Sequence, residues 1–233
     1  MTYDLWYWPS IPGRGEFVRL AMEAGGIAYR DRAREVGEKG LMADMKAREP
    51  APFAPPYLVA QDGSVTWQVA NVLLYLARVE QLSDEADRDW LHGLQLTISD
   101  LVAEVHNVHH PVGVADYYDD QKPEAARAAQ QFREERIPKF LGYFENALAP
   151  RGGDWMAGNR WTPVDTSLFQ VIAGLRYAFP KRMRTVERDI PALVALHDRV
   201  AALPGLVDYL ASKRRMAFNQ DGIFRHYPEL DAA

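Results

Sequence analysis

Residues 3–25 read YDLWYWPSIPGRGEFVRLAMEAG and contain three patterns that predict a strand, a turn and a helix in succession. Large apolar side chains alternate from Tyr3 to Tyr7 with the period of a strand, and prolines and glycines interrupt residues 9–15. From Phe17 onward, apolar residues recur at helical spacing. A helix N-terminus offers free N–H groups and the positive end of a dipole. With the phenol of Tyr7 at the strand end and Arg14 in the turn, this segment is suited to bind an anion.

The composition excludes several classes of protein. The 233 residues are 48% hydrophobic and carry a net charge of −5, which favours a substantial core and argues against nucleic acid as a partner. The absence of cysteine excludes disulfides, thiolate metal sites and cysteine nucleophiles. The sequence has no apolar run of membrane-spanning length and no secretory signal, so we expect a cytoplasmic protein with no membrane partner.

The N-terminal eighty residues predict a small mixed sheet with helices, in the order β-α-β-α-β-β-α. A second strand is expected over residues 27–32 and a short helix over 35–48, before a proline-rich segment at 50–56. Strands at 57–59 and 65–67 flank Asp62 and Gly63, a strong signal for a hairpin. An apolar helix is expected over 68–77.

From about residue 81 onward the patterns are helical. Helices are predicted over 87–110, 122–148, 163–179, 190–201 and 204–213. Thr162, Pro163 and Asp165 have the spacing of a capping box with proline at the first helical position. We therefore predict two domains, an α/β domain over residues 1–80 and an all-α domain over residues 87–233.

These motifs, in this order, resemble those of soluble (cytosolic) glutathione S-transferases. Residues 6–19 are similar to the start of the tyrosine-type (alpha, mu and pi) classes and closest to pi, and residues 56–77 and 158–165 match two later motifs. The resemblance covers nearly the whole chain. It implies a thioredoxin-like domain that binds glutathione, followed by a helical domain that supplies most of a hydrophobic substrate site.

The resemblance implies that Tyr7 is the catalytic residue. Free thiols have a pKa of about 8.5, so a hydrogen-bond donor directed at the sulfur is needed to hold glutathione as a thiolate near neutral pH. A neutral phenol can donate that bond. Ser10 is the competing choice, because other classes use a serine at the start of the following helix.

The resemblance also implies which residues bind glutathione and what several of them contribute. Arg14 holds charge, the cis-proline Pro56 forms a wall, and Asp100 acts across a dimer interface, with Glu104 as the alternate. The expected glutathione-binding residues are Arg14, Lys46, Pro55, Pro56, Gln68, Val69 and Asp100. A solvated side chain is an equal alternative for Lys46.

Two of these positions depart from the family pattern. Pro55 has no N–H and can only accept a backbone hydrogen bond from the ligand. Val69 stands where the family has Ser or Thr, whose hydroxyl binds the γ-glutamyl carboxylate. A hydrogen bond to a charged group contributes about 1.5–3 kcal/mol, so we expect weakened affinity for glutathione.

The hydrophobic substrate site is expected to come from the first turn, the middle of the helical domain and the C-terminal segment. Its expected residues are Trp8, Ser10, His109, His110, Tyr117, Met216 and Phe218. His106, His109 and His110 share a helix face, which also suits a metal ion, but no fourth ligand is identifiable and we expect no metal.

The function implied is a detoxifying transferase that conjugates glutathione to a hydrophobic small molecule. Glutathione-dependent peroxide reduction or isomerisation on the same site is an alternative, as is a non-catalytic binding protein with weakened affinity for glutathione. A homodimer is expected. Phe53 lies near the position from which such dimers insert an aromatic side chain into the partner, and a phenylalanine buried in its own subunit is the alternative.

Overall fold

The computed structural model describes residues 2–152 and 154–232 and begins with a four-stranded mixed sheet. Its strands are β1 (Thr2–Trp6), β2 (Ala28–Asp31), β3 (Tyr57–Val59) and β4 (Val65–Trp67), in the spatial order β2-β1-β3-β4. β1 pairs with β2 in parallel, and the β1–β3 and β3–β4 pairs are antiparallel. The predicted hairpin at Asp62 and Gly63 is confirmed, and Gly63 has the positive φ of 85° that favours glycine in such a turn.

Three helices accompany the sheet: α1 (Gly15–Ala24), α2 (Arg32–Ala47) and α3 (Val69–Val79). The helix predicted over 35–48 begins three residues earlier, at Arg32, whose guanidinium forms an i,i+3 ion pair with Glu35. Gly37 interrupts this helix with a φ of 75°, so the segment is two short helices across a kink. The glycine therefore explains why its helical periodicity is weak in the sequence.

Beyond the N-terminal domain, the longer regular elements of the described chain are helices. They are α4 (Arg88–Val108), α5 (Lys122–Gln131), α6 (Ile137–Leu148), α7 (Pro163–Ala178), α8 (Pro180–Val186), α9 (Pro191–Ala201) and α10 (Pro204–Ala211). The expected organisation, a small α/β domain followed by an all-α domain, is confirmed. None of the helices in the described ranges is long and apolar enough to cross a membrane.

Two helix predictions are corrected by the structure. The helix expected over 122–148 is divided by a five-residue π-helical segment, Phe132–Arg136, which the side-chain periodicity does not reveal. The helix α8 was not predicted. Its seven residues follow shortly after α7, and its first residue is Pro180. A proline at this point indicates the end of the preceding helix, but it is equally typical of the first position of a new one.

The first helix joins the two parts of the molecule. Val18, Ala21 and Met22 pack with the sheet and α3, whereas Phe17 and Leu20 belong to the large core of the helical domain. A helix buried on both faces cannot shift without disturbing both cores. The turn before it, which contains the candidate site, is therefore held from two sides.

The capping box at the start of α7 is confirmed in full. Asp165 is completely buried, and its Oδ2 accepts hydrogen bonds from the backbone N–H of Thr162 at 2.7 Å and from the Thr162 hydroxyl at 2.7 Å. Its Oδ1 accepts a third bond, from the backbone N–H of Met156 at 2.9 Å. This carboxylate therefore ties the preceding loop to the helix.

Replacing Asp165 by Ala should lower the free energy of unfolding by about 2–4 kcal/mol, because it leaves two buried backbone N–H groups without acceptors. Urea unfolding at pH 7.5 measures this change. Asp189→Ala is the control, because that side chain is exposed, and it should change stability by less than about 0.5 kcal/mol. Equal effects of the two substitutions would contradict a structural role for the capping box.

Candidate active site

Tyr7 lies one residue beyond the end of β1, beneath the turn that leads into α1. Its hydroxyl oxygen accepts a hydrogen bond of 2.8 Å from the backbone N–H of Arg14. The Tyr7 side chain is buried, and its O–H proton is donated to no side chain or carbonyl in the described ranges. The phenol oxygen therefore accepts one hydrogen bond, and the phenol O–H remains free to donate one.

The protonation state of Tyr7 suits a donor. Burial raises the pKa of Tyr7, whereas the hydrogen bond from Arg14 and the positive charges of Arg14 and Arg19 act in the opposite direction. Because the net change is upward from an ordinary value near 10, the phenol is neutral and protonated at pH 7.

Two glycines allow the turn to lie against the Tyr7 ring. A Cβ atom on Gly13 would be 2.1 Å from the Tyr7 hydroxyl oxygen, and one on Gly15 would be 2.5 Å from the ring carbon Cγ. Gly13 also has a φ of 41°, in the left-handed region. The close approach of backbone and phenol therefore requires glycine at both positions.

A buried ionic network centred on Arg19 holds the turn that precedes α1 in place. The fully buried Arg19 donates to Asp31 Oδ2 at 2.7 Å, to Glu16 Oε2 at 3.2 Å and to the carbonyl oxygen of Pro12 at 3.4 Å. Its guanidinium carbon lies 5.9 Å from the centre of the Tyr7 ring. Arg19 therefore connects the end of β2, the first helix and the turn around Tyr7.

The helical domain completes this network. Tyr209 of α10 donates to Glu16 Oε1 at 2.6 Å, and Arg215 Nη1 lies 2.5 Å from the same oxygen. Burial and the neighbouring Glu16 raise the pKa of Tyr209, which keeps this phenol protonated as the donor. The position of the turn thus depends on residues nearly two hundred positions further along the chain.

A cavity of about 570 Å³ opens beside the turn, within the size range of small-molecule sites. The turn and first helix contribute Arg14 and Phe17 to its lining. The remaining lining comes from the proline-rich segment and from α3 and α4: Phe53, Ala54, Pro55, Pro56, Gln68, Val69, Ala70, Gln95, Leu96, Ile98, Ser99 and Val102. Five of the seven predicted glutathione-binding residues are therefore brought together at one cavity.

The backbone around the cavity has two unusual features. The peptide bond between Pro55 and Pro56 is cis, as the resemblance implies. Gln68, at the N-cap of α3, has a φ of 69°, which is uncommon for a residue other than glycine. Such conformations concentrate at functional sites, because the surrounding structure must hold them in place.

The other two predicted glutathione-binding residues lie outside this cavity. Lys46 is exposed in the last turn of α2, and Asp100 is exposed on α4, with no ion pair to the described part of the chain. The carboxylate of Glu104, the alternate to Asp100, accepts a bidentate pair of hydrogen bonds from Arg136, at 2.7 and 2.8 Å. Of these two acids, Asp100 is the one whose carboxylate is free to meet another molecule.

The residues predicted for the hydrophobic site are dispersed, and none of the seven lines the large cavity. Trp8 packs against the cluster that contains Trp6 and Tyr57, and Tyr117 is 80% exposed. Asn219 donates to the carbonyl oxygen of Ser10 at 2.9 Å, so the C-terminal segment reaches the first turn.

The remaining residues of that set lie in or near the C-terminal segment. Phe218 stacks on Tyr177 with ring centres 5.2 Å apart, and Met216 is half-buried nearby in sequence. His109 Nε2 bonds the carbonyl oxygen of Ile223 at 2.9 Å, and His110 Nδ1 bonds that of Asp116 at 3.1 Å. Both imidazoles therefore have backbone partners that hold the loop and the C-terminal segment.

The three histidines of α4 and the residues after it lie against one another. Burial lowers the pKa of His106 to about 4 and that of His109 to about 3, so both rings are neutral at pH 7. The rings contact one another, with centroids 4.7–5.1 Å apart. Within residues 2–152 and 154–232, no group of three or more potential ligands is arranged to hold a metal ion.

Sequence reasoning missed the contribution of α4 to the cavity. Gln95, Ile98, Ser99 and Val102 recur at i, i+3, i+4 and i+7, so they share one helix face. That spacing is visible in the sequence, but it predicts equally well a face buried in a core.

Replacing Gly13 by Ala should destabilise the protein more than replacing Gly26 by Ala. Both glycines have positive φ, but a Cβ at Gly26 meets nothing within 4 Å, whereas one at Gly13 overlaps the Tyr7 hydroxyl. We expect Gly26→Ala to cost about 1–2 kcal/mol and Gly13→Ala about 1–3 kcal/mol more in the free energy of unfolding. Urea unfolding of the two variants gives the difference, and equal values would show that Tyr7 does not pack against Gly13.

Comparison with known proteins shows which sequences and folds this chain resembles. Residues 106–213 match the family model described as glutathione S-transferase, C-terminal domain. The mouse protein glutathione S-transferase A3 is 25% identical over 207 residues, which cover 85% of this chain and 84% of the mouse protein.

Two solved structures have the same fold. The pi-class glutathione S-transferase of Onchocerca volvulus matches with a TM-score of 0.70 at 21% identity, covering 91% of this chain and 93% of its own. The glutathione S-transferase of Ascaris lumbricoides matches with a TM-score of 0.69 at 22% identity, covering 93% and 99%. The chain therefore has the fold of glutathione S-transferases and is similar in sequence to members of that family over most of its length.

Proposed function

We propose that the protein is a glutathione transferase of the tyrosine type, in which Tyr7 stabilises the thiolate of glutathione for attack on a hydrophobic electrophile. The observation that carries this proposal is the Tyr7 hydroxyl, which accepts a bond from Arg14 N–H at 2.8 Å and retains a free donor. Arg14 lines the ligand-sized cavity, whereas Tyr7 itself is not part of its lining. In this proposal residues 1–80 bind glutathione, and residues 87–233 supply the second substrate site.

The chemistry follows from the state of the sulfur. A neutral phenol that donates to the sulfur favours the thiolate over the thiol and lowers the pKa of the bound thiol. The thiolate then uses a lone pair to form a new carbon–sulfur bond. The electron pair displaced from the electrophilic carbon leaves with the leaving group, or remains on the substrate and takes up a proton from water.

The cavity offers groups that suit a tripeptide with two carboxylates. Arg14 contributes a positive charge to the cavity lining. The N-terminus of α3, at Val69, also lines the cavity, and no acidic residue in its first turn opposes the positive end of the helix dipole. The carbonyl of Pro55 is available as an acceptor for the peptide backbone of the ligand. The loss of the hydroxyl at residue 69 remains the reason to expect modest affinity.

A homodimer is supported by two exposed side chains. Phe53 is 88% exposed although it is large and apolar, which contradicts the alternative of a phenylalanine buried in its own subunit. Asp100 is also exposed on α4. We propose that a second copy covers Phe53 and that Asp100 reaches the partner's glutathione site.

The Tyr7→Phe variant tests the catalytic role. Removing the donor to a charged sulfur should reduce kcat/KM near pH 6.5 by about 10–100-fold, since such a bond contributes about 1.5–3 kcal/mol. The pH profile should shift upward toward the pKa of a free thiol, near 8.5, because the bound thiol then ionises less readily. The measurement is conjugation to a general electrophile, followed from pH 5.5 to 9.

Two further variants make this experiment decisive. Tyr143→Phe removes a phenol that is 47% exposed on α6 and should leave the profile unchanged. Ser10→Ala tests the competing hydroxyl. If Ser10→Ala abolished the low-pH rate while Tyr7→Phe did not, the serine would replace the tyrosine in the mechanism.

A binding protein without efficient catalysis is the second candidate, and Val69 is the observation that favours it. Calorimetry with glutathione, read together with the rate of conjugation, separates the two candidates, because the second binds without efficient turnover. Failure to bind at millimolar glutathione would contradict the transferase proposal. Tighter binding by Val69→Ser would show that the missing hydroxyl is what weakens the site.

A further inference from the structure

The C-terminal segment contains an arginine, Arg225, that has no carboxylate partner in the described part of the chain. Its side chain is half-buried, its Nε donates to the carbonyl oxygen of Gly222 at 3.0 Å, and its Nη2 donates to that of Asp221 at 3.4 Å. Its Nη1 bonds no described residue and is not enclosed by the protein, so it can still donate. A guanidinium that is partly withdrawn from water and lacks a counter-charge is suited to bind an anion.

Arg225 is held next to the histidine cluster at the end of α4. Ile223, two residues before it, accepts a hydrogen bond from His109 Nε2 at 2.9 Å. The ring of Tyr227, two residues after it, has its centre 6.3 Å from that of His109. His109 in turn contacts His106, with ring centres 5.1 Å apart. The backbone on both sides of Arg225 is therefore fixed against the cluster.

The histidine cluster adjoins the candidate active site. His106 follows Val102 by one turn on the same face of α4, and Val102 lines the large cavity. Burial lowers the pKa of His106, and the positive charges of Arg14 and Arg225 act in the same direction. Both guanidiniums therefore act on one imidazole, at the end of the cavity that Arg14 lines.

The positive charge in this region comes from the two arginines. His106 and His109 are neutral at pH 7, so neither ring adds to that charge. Arg14, like Arg225, forms no ion pair with any residue in the ranges 2–152 and 154–232. In a chain whose net charge is −5, two arginines without counter-charges form a local positive region that attracts anionic molecules.

We propose that Arg225 binds a carboxylate of the second substrate, so that the protein prefers hydrophobic electrophiles that carry a negative charge. This proposal rests on the proposed function and adds a class of substrate to it. Arg14 is already assigned to glutathione, which leaves Arg225 as the arginine available to the second substrate. Its Nη1 is the donor that such a carboxylate would meet.

Three other roles compete for Arg225. Its bonds to Gly222 and Asp221 would make it a residue that only closes its own turn. Its anion would otherwise be the glycyl carboxylate of glutathione. The third is an internal partner: burial lowers the pKa of His110 and the Asp116 carboxylate opposes that change, so one acid lies near the cluster, although it forms no ion pair with Arg225 in the described structure.

Two electrophiles that differ only in charge test the proposal, 4-chloro-3,5-dinitrobenzoate and its methyl ester. With either compound the glutathione thiolate forms a carbon–sulfur bond at the ring carbon, and chloride leaves with the bonding electron pair. Arg225→Gln should lower kcat/KM for the acid about 10-fold or more, because a hydrogen bond to a charged group is lost. It should leave kcat/KM for the ester within about two-fold.

The competing roles predict different results. If Arg225 only closes its turn, Arg225→Gln should lower the rates with acid and ester alike and reduce the melting temperature. If Arg225 binds glutathione, the Kd for glutathione measured by calorimetry should rise, again with equal losses for the two electrophiles. If Asp116 is its partner, Arg225→Gln should not lower the rate with the acid. Each of these results would overturn the proposal.

Arg184→Gln is the matched control. Arg184 is exposed on α8 and forms no ion pair with the described residues, so the variant removes the same charge away from the cavity. It should leave kcat/KM for both electrophiles within about two-fold. Equal losses in the two variants would show an effect of net charge and overturn the proposal.

Failure of the proposed function is recognised separately from failure of this proposal. A wild-type protein that conjugates neither electrophile with glutathione would overturn both. A wild-type protein that conjugates both, together with an Arg225→Gln variant that does not discriminate between acid and ester, would overturn only the role of Arg225.

Discussion

The buried guanidinium of Arg19 is the interaction on which the rest of the site depends. It donates to Asp31 at the end of β2, to Glu16 one turn earlier on α1, and to the carbonyl oxygen of Pro12 in the turn. Glu16 in turn accepts from Tyr209, 193 residues further along the chain. Since desolvating a charge costs several kcal/mol, such a network is weak support for stability, but losing one member leaves the others uncompensated. It therefore acts chiefly as a positional constraint on the turn.

That constraint explains why a phenol is held so closely at the strand end. The first helix is fixed from the sheet side by its packing and from the helical domain by Tyr209 and Arg215, so the turn before it has little freedom. Gly13 then lies against the Tyr7 hydroxyl at a distance that excludes any side chain. The Arg14 N–H meets that hydroxyl without the reorganisation that a mobile loop would need. Packing against both domains thus preorganises one hydrogen bond.

Much of this fold and part of the site could be predicted, because the decisive signals are local. The hairpin at Asp62 and the capping box at Asp165 depend on residues two or three positions apart, and both are confirmed. The lining by Gln95 could not be predicted, since a buried helix face has the same spacing whether it meets a core or a ligand. The ring of His109 bonds a carbonyl 114 residues away, a contact that no local pattern encodes.

The entrance to α3 shows how this chain differs from a sequence chosen only for stability. Gln68 keeps a positive φ there, and Gln95 keeps an unpaired amide at a nearly inaccessible position. Each feature is unfavourable on its own. In the proposed function, a carboxylate of the ligand would meet the backbone N–H groups of the first turn of α3, directly after Gln68. The unfavourable backbone conformation of Gln68 would then lie where the proposed function places the gain in binding free energy.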